Sequence, residues 1–217
     1  MNNEHIQDYV QFRCSRHEFI NALTHFLGFL FATAAGPLLI ALAVMRGVHE
    51  IPAYCIYAAS LVILYLVSTL YHAVPDGGMK QRLQALDHMA VFVLIAGTYT
   101  PFFLAGLGGA LGWSLCLMLW LLAGVGIVFK ARYAGRFDLV STIAYVLLGW
   151  SGLVAIVPLY QALPEASFLL VLAGGVLYTV GAVFYRWESL PHNHAIWHVL
   201  CLSGSVAHFI AVCFLLV

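Results

Sequence analysis

The stretch AYCIYAASLVILYLVSTLYHAV, residues 53–74, decides the class of this protein. It carries no Asp, Glu, Lys or Arg, and its apolar residues do not alternate with polar ones as in a membrane barrel strand. A helix needs about 20 apolar residues to cross a bilayer, so this run is long enough for one crossing. Six more runs flank it, at 19–45, 87–107, 110–129, 139–160, 168–185 and 194–217. The breaks between them carry Pro, Gly or charge, as in Pro75 to Arg82, Gly108–Gly109 and Lys130 to Asp138. The fourth run, interrupted by Gly124 and Gly126, is the weakest of the seven. Composition agrees: of 217 residues 63% are hydrophobic and 8% charged, with mean hydropathy +0.96. A soluble domain carries about 25% charged residues, so neither a water-soluble globule nor a disordered chain fits. Nine Lys/Arg against nine Asp/Glu leave no basic excess for nucleic acid. The expectation is an all-α integral membrane protein, a single seven-helix domain over residues 1–217. Residues 1–16 form a short polar segment without the apolar core of a cleavable signal.

Lys and Arg set the orientation. Arg13, Arg16, Lys80, Arg82, Lys130, Arg132, Arg136 and Arg186 fall on the side of the N-terminus, and only Arg46 on the other. The N-terminus is therefore expected in the cytoplasm and the C-terminus outside. Trp113, Tyr133, Tyr160 and Trp187, near run ends, read as interfacial anchors. Cys14, Cys55, Cys116, Cys201 and Cys213 show no paired spacing, and no structural disulfide is expected.

Polar residues inside the spans mark the candidate site, because they are costly in lipid and need partners. Ser68 and His72 close the second run; Asp87 and His88 open the third; His194 and His198 open the seventh. With the orientation above, all of these lie at one depth, in the cytoplasmic leaflet. His194 and His198, one turn apart, present two imidazoles on one helix face. That pair can chelate a zinc ion, with His72 as third ligand and water completing an open tetrahedral site. Ser68, at i−4 from His72, can point into the same pocket. Asp87 could deprotonate or orient a water there, or hold a ligating imidazole. HxxxH on a helix also arises by chance, and helix-end histidines often only bond backbone carbonyls. The matched depth of the set distinguishes it from such chance pairs.

Glu18, Asn21 and His25 share one face of the first helix and read as a hydrogen-bonded contact between helices. Gly28, Ala32 and Gly36 extend it with small residues that permit close packing, and Pro37 is expected to bend the helix just beyond. His208 lies too far along the seventh helix to join the metal and is expected to bond Tyr99 or Thr100. His88 reads as an interfacial cap, and His5, His17, His49 and His192 as solvated.

The stretches Ser68–His72, Leu86–His88, Ala96–Pro101 and Asn193–His198 through His208, with the opening Glu18–Asn21 and Thr24–His25, resemble the hemolysin III family. This is the bacterial branch of the progestin and adipoQ receptor superfamily, which includes the adiponectin receptors. The resemblance spans about residues 16–210. It implies a multi-pass protein of the bacterial inner membrane, with Zn²⁺ held by His72, His194 and His198 near the cytoplasmic face. It also places Ser68 and Asp87 around a zinc-associated water. The superfamily is similar to alkaline ceramidases, so a zinc-dependent hydrolase of a lipid amide or ester is the leading reading, with a membrane lipid as substrate or ligand. The alternatives are a lipid-homeostasis regulator or sensor with structural zinc, and a cytolytic pore, which the thinning of polar residues towards the outer leaflet disfavours.

Overall fold

The computed structural model describes the backbone of residues 3–217 and the side chains from Arg16 onward. Among these residues there is no strand. Seven helices are long and apolar enough to cross a membrane: Arg16–Met45, Ile51–Ala73, Gly78–Leu107, Gly109–Arg132, Asp138–Ala162, Glu165–Arg186 and Asn193–Leu216. We label the helices α1 (Asn3–Met45), α2 (Ile51–Ala73), α3 (Gly78–Pro101), α4 (Gly109–Arg132), α5 (Asp138–Gly149), α6 (Ile156–Ala162), α7 (Glu165–Arg186) and α8 (Asn193–Cys213).

Pro52 starts α2, where a missing N–H costs nothing because the first helical amides have no partner anyway. α3 begins at Gly78, well before the apolar run at 87, so Lys80 and Arg82 belong to a helix and not to a loop. Helical geometry simply continues past the apolar stretch into the polar boundary. α1 carries Pro37 within one continuous helix. α4 is unbroken through Gly124 and Gly126. The glycine at 126 accommodates the Phe92 ring, which a Cβ there would meet at 2.3 Å.

The broken span is the fifth. α5 stops at Gly149, a 3₁₀ turn covers Ser151–Ala155, and α6 follows. Pro158, two residues into α6, cannot bond back to the preceding turn and thereby favours the break. In a membrane the freed backbone groups need partners. The Tyr99 hydroxyl supplies one, donating to the Gly149 carbonyl at 2.5 Å. Gly152 lets the same ring lie flush, since a Cβ there would sit 2.6 Å from it.

α1 packs on α2 and α8, α2 on α3, α3 on α4, and α7 on α8; α5 leans on α3, α4 and α7. The small-residue face of α1 works as expected: Ala32 is fully buried, and a Cβ on Gly28 would meet the Tyr65 ring at 2.3 Å. Interhelical hydrogen bonds add to the packing. Tyr65 donates to Ser205 Oγ at 2.7 Å, Trp150 Nε1 to Thr179 Oγ1 at 2.8 Å, and Trp120 Nε1 to Thr100 Oγ1 at 3.1 Å. His208 takes a different partner from the one expected: its Nε2 meets the Val171 carbonyl at 3.0 Å, while Tyr99 and Thr100 are engaged elsewhere. The anchors Trp113, Tyr133, Tyr160 and Trp187 are exposed. Cys55, Cys116, Cys201 and Cys213 are unpaired thiols; the side chains of Cys14 and His5 lie outside the described residues.

Candidate metal centre

Two helix ends bring the predicted histidines together. His72, in the last turn of α2, meets His194 and His198, in the first two turns of α8. One nitrogen from each lies within 4.8 Å of the other two. His72 and His198 are almost completely buried, and His194 is partly so.

The other ring nitrogens explain why these three point inward. His72 Nδ1 faces Glu18 Oε2 at 3.2 Å, and Lys80 Nζ holds that same oxygen at 2.6 Å. A carboxylate can only accept here, so His72 Nδ1 carries the proton and Nε2 keeps a free lone pair. That Nε2 is buried and has no hydrogen-bond partner. His198 Nδ1 faces the Asn21 carbonyl at 3.1 Å and Thr24 Oγ1 at 3.0 Å. The Thr24 hydroxyl gives its own proton to the same carbonyl at 2.8 Å, so His198 Nδ1 is again the donor and Nε2 is free. Two of three rings are therefore fixed in one tautomer and orientation by partners on α1. This is how proteins prepare histidines for a metal. A buried imidazole nitrogen with no partner is costly, and a divalent cation at the centre of the triad would satisfy it. The residues present fit such an ion.

α1 thus does more than make a helix–helix contact. Glu18, Asn21 and Thr24 hold the imidazoles in place, and His25 stacks on His198 with ring centroids 3.4 Å apart. Both His25 nitrogens are buried without partners. The shared face of Glu18, Asn21 and His25 was visible in the sequence, but what it faced was not. Thr24 carried no separate signal beyond its place in the family motif.

Ser68 is fully buried and Asp87 nearly so. The Ser68 hydroxyl stands beside the Asp87 carboxylate, and His72 is close by. Asp87 lines an internal cavity of ≈ 120 Å³ together with His25, His194 and His198, and Leu94, Ile95, Val146 and Trp150 supply much of its apolar wall. His72 lines a separate groove between α1 and α2, with Glu18, Phe19, Leu23, Phe26 and Lys80. His88 is not an interfacial cap: it lines the cavity, with a buried and unpartnered Nδ1. His192 is exposed as expected, but its ring lies 4.5 Å from that of half-buried His17.

A family model described as Haemolysin-III related matches residues 14–209. The chain belongs to that family. Hemolysin-3 of Bacillus cereus is 45% identical over 200 residues, covering 92% of this chain and 91% of its own. The Hemolysin-3 homolog of Bacillus subtilis (strain 168) is 44% identical over 200 residues, 92% of this chain and 94% of its own. Monocyte to macrophage differentiation factor of Homo sapiens is 27% identical over 167 residues, 72% of this chain and 67% of its own. That distant match fits the wider superfamily expected from the motifs. This Haemolysin-III related chain is a multi-pass membrane protein whose triad could hold a metal ion.

Proposed function

We propose that this protein is a zinc-dependent hydrolase acting on an amide or ester of a membrane lipid, in the cytoplasmic leaflet of a bacterial inner membrane. The observation that carries the reading is the join between the oriented triad and an apolar-walled cavity containing a buried carboxylate. Three imidazoles whose nitrogens converge within 4.8 Å of one another suit Zn²⁺ among the common divalent ions. His72, His194 and His198 would hold it. Bound there, zinc supplies Lewis acidity, polarising a carbonyl and making a nearby water easier to deprotonate.

The chain's own residues supply the rest. Asp87, lining the cavity, accepts the proton of the attacking water and returns it to the leaving group. The Ser68 hydroxyl, at α2 beside Asp87, donates a hydrogen bond that either orients the carboxylate or meets charge developing on the substrate oxygen. The Glu18 and Asn21 acceptors keep both imidazoles in place while this happens. Leu94, Ile95 and Val146 take an acyl chain and exclude bulk water. A site within the leaflet suits a substrate that arrives laterally from the bilayer.

The test is metal content of the purified protein by mass spectrometry, beside His72→Ala, His194→Ala and His198→Ala, followed by amide-lipid turnover with Asp87→Asn as comparison. About one zinc per chain, lost in each histidine variant, with turnover abolished in Asp87→Asn, is the expected result. Zinc-loaded protein that binds lipid but turns nothing over would replace the hydrolase by a sensor with structural metal.

A further inference from the structure

Beyond the triad, the same cavity has a second charged feature. Lys130, in the last turn of α4, is fully buried and forms part of the cavity wall with Asp138, Ser141 and His88. A lysine at the cytoplasmic end of a membrane helix ordinarily extends its ammonium out to water. Arg132, two residues on, does so. Lys130 turns inward instead. Its Nζ donates to Asp138 Oδ1 at 3.2 Å and to the Arg136 carbonyl at 3.3 Å, both long for charge-assisted bonds, and leaves one proton uncommitted. Asp138 is 39% exposed, so it can turn to water without stranding a buried charge. His88 lies near both charged groups, and its buried Nδ1 lacks a partner. A half-satisfied ion pair of this kind is a poor stabiliser on its own, because desolvating the ammonium offsets most of the attraction. As a receptor for an anion it makes sense.

We propose that Lys130, with His88 beside it, forms an anion-binding end of the cavity. It takes the phosphate or carboxylate head of an amphiphile whose apolar chain lies along Leu94, Ile95 and Val146. Asp138 neutralises the lysine while the site is free and yields to the ligand's anion when it binds. The inference deepens the hydrolase reading by giving its substrate an acidic head. Binding is measurable without turnover, so the two can fail separately.

The experiment uses the full chain in phosphatidylcholine nanodiscs and three labelled probes of equal chain length: decyl phosphate, decanoate and neutral decanol. Lys130→Met should weaken decyl phosphate or decanoate by roughly tenfold or more, as expected for a lost charge-assisted hydrogen bond, and leave decanol unchanged. Asp138→Asn should tighten the anions, since it removes their competitor. Lys130→Arg should keep most of the affinity. The ratio of phosphate to decanoate binding names the preferred head. If the pair is only a staple for the loop between α4 and α5, both variants break the same contact and weaken all three probes alike, which overturns the proposal. Anion binding abolished by His72→Ala would assign the head to the metal centre and overturn it too. Should Lys130→Met fail to fold, Asp138→Asn decides alone: tighter anion binding supports the subsite, and unchanged or weaker binding refutes it.

Discussion

Removing Glu18 tests the metal centre without touching a proposed ligand. Its Oε2 is shared between His72 Nδ1 at 3.2 Å and Lys80 Nζ at 2.6 Å. Glu18→Ala deletes the acceptor that fixes the His72 tautomer, so Nδ1 and Nε2 compete for the proton and part of the population offers the metal an N–H. It also lets the ring rotate and leaves Lys80 with the exposed Asp76, 3.6 Å away, and the face of the Tyr71 ring. Loss of a partner behind a metal-binding histidine costs about 10–100-fold in affinity, equivalent to about 1.4–2.8 kcal/mol. Glu18→Gln keeps a carbonyl oxygen that accepts from His72, so its loss should fall near or below the lower figure. The assay is competition for zinc against a chromophoric chelator of known affinity, with purified protein in neutral detergent and circular dichroism to confirm helicity. The expected order of affinity is wild type, then Glu18→Gln, then Glu18→Ala. Equal affinities in all three would refute the claim that α1 orients the triad. So would Glu18→Gln weakening binding as much as Glu18→Ala, which would make the charge, not the hydrogen bond, the operative feature.

Other consequences follow from single contacts. Thr24→Val removes one of two acceptors from His198 Nδ1 and keeps the Asn21 carbonyl, so zinc affinity should fall only a few-fold, less than for Glu18→Ala, in the same competition assay. Gly28→Leu drives a side chain into the buried Tyr65 ring and should lower stability by about 1–3 kcal/mol, read as an earlier thermal unfolding in detergent. Tyr99→Phe leaves the Gly149 carbonyl unpaired at the break in the fifth span; interhelical bonds in membranes average about 0.6 kcal/mol, so a small loss of stability with unchanged zinc content is expected.

The class, the number of spans and the histidine set were legible because each rests on a strong, local signal. Apolar runs of bilayer length are unmistakable, and residues that lipid penalises stand out within them. Helix ends were less legible: α3 starts at Gly78 because a helix does not stop where its apolar residues do. The break in the fifth span was missed for a different reason. Glycines interrupt the fourth run as well as the fifth, yet Gly126 serves packing against Phe92, whereas Gly149, Gly152 and Pro158 lie where the helix actually changes pitch. Lys130 was hidden most completely. By sequence it is one more cytoplasmic cation; only the rotational phase of α4 and the fold-back of the loop to Asp138 turn it inward.

The arrangement of α1, α2 and α8 bears on what a metal would do here besides chemistry. α1 packs broadly on both neighbours, but α2 and α8 meet chiefly through side chains. Tyr65 reaches Ser205 midway along α8, and the His72 ring meets those of His194 and His198 about 5 Å away, where α2 ends and α8 begins. A metal ion held by these three would therefore close the end of a seam that the Tyr57 and Tyr65 bonds to Ser205 pin in its middle. Two compartments meet the triad, the groove lined by His72 and the cavity lined by His194 and His198. Clasping the seam and activating a carbonyl are then not rival roles for the ion. The same three imidazoles that would hold the metal would then also keep the helices in register, so loss of metal should loosen the end of α2 and the start of α8 while leaving the Tyr65–Ser205 contact intact. Faster amide hydrogen exchange at residues 68–73 and 193–198 in metal-stripped protein, with residues 54–61 and 203–210 unchanged, is the pattern this mechanics requires.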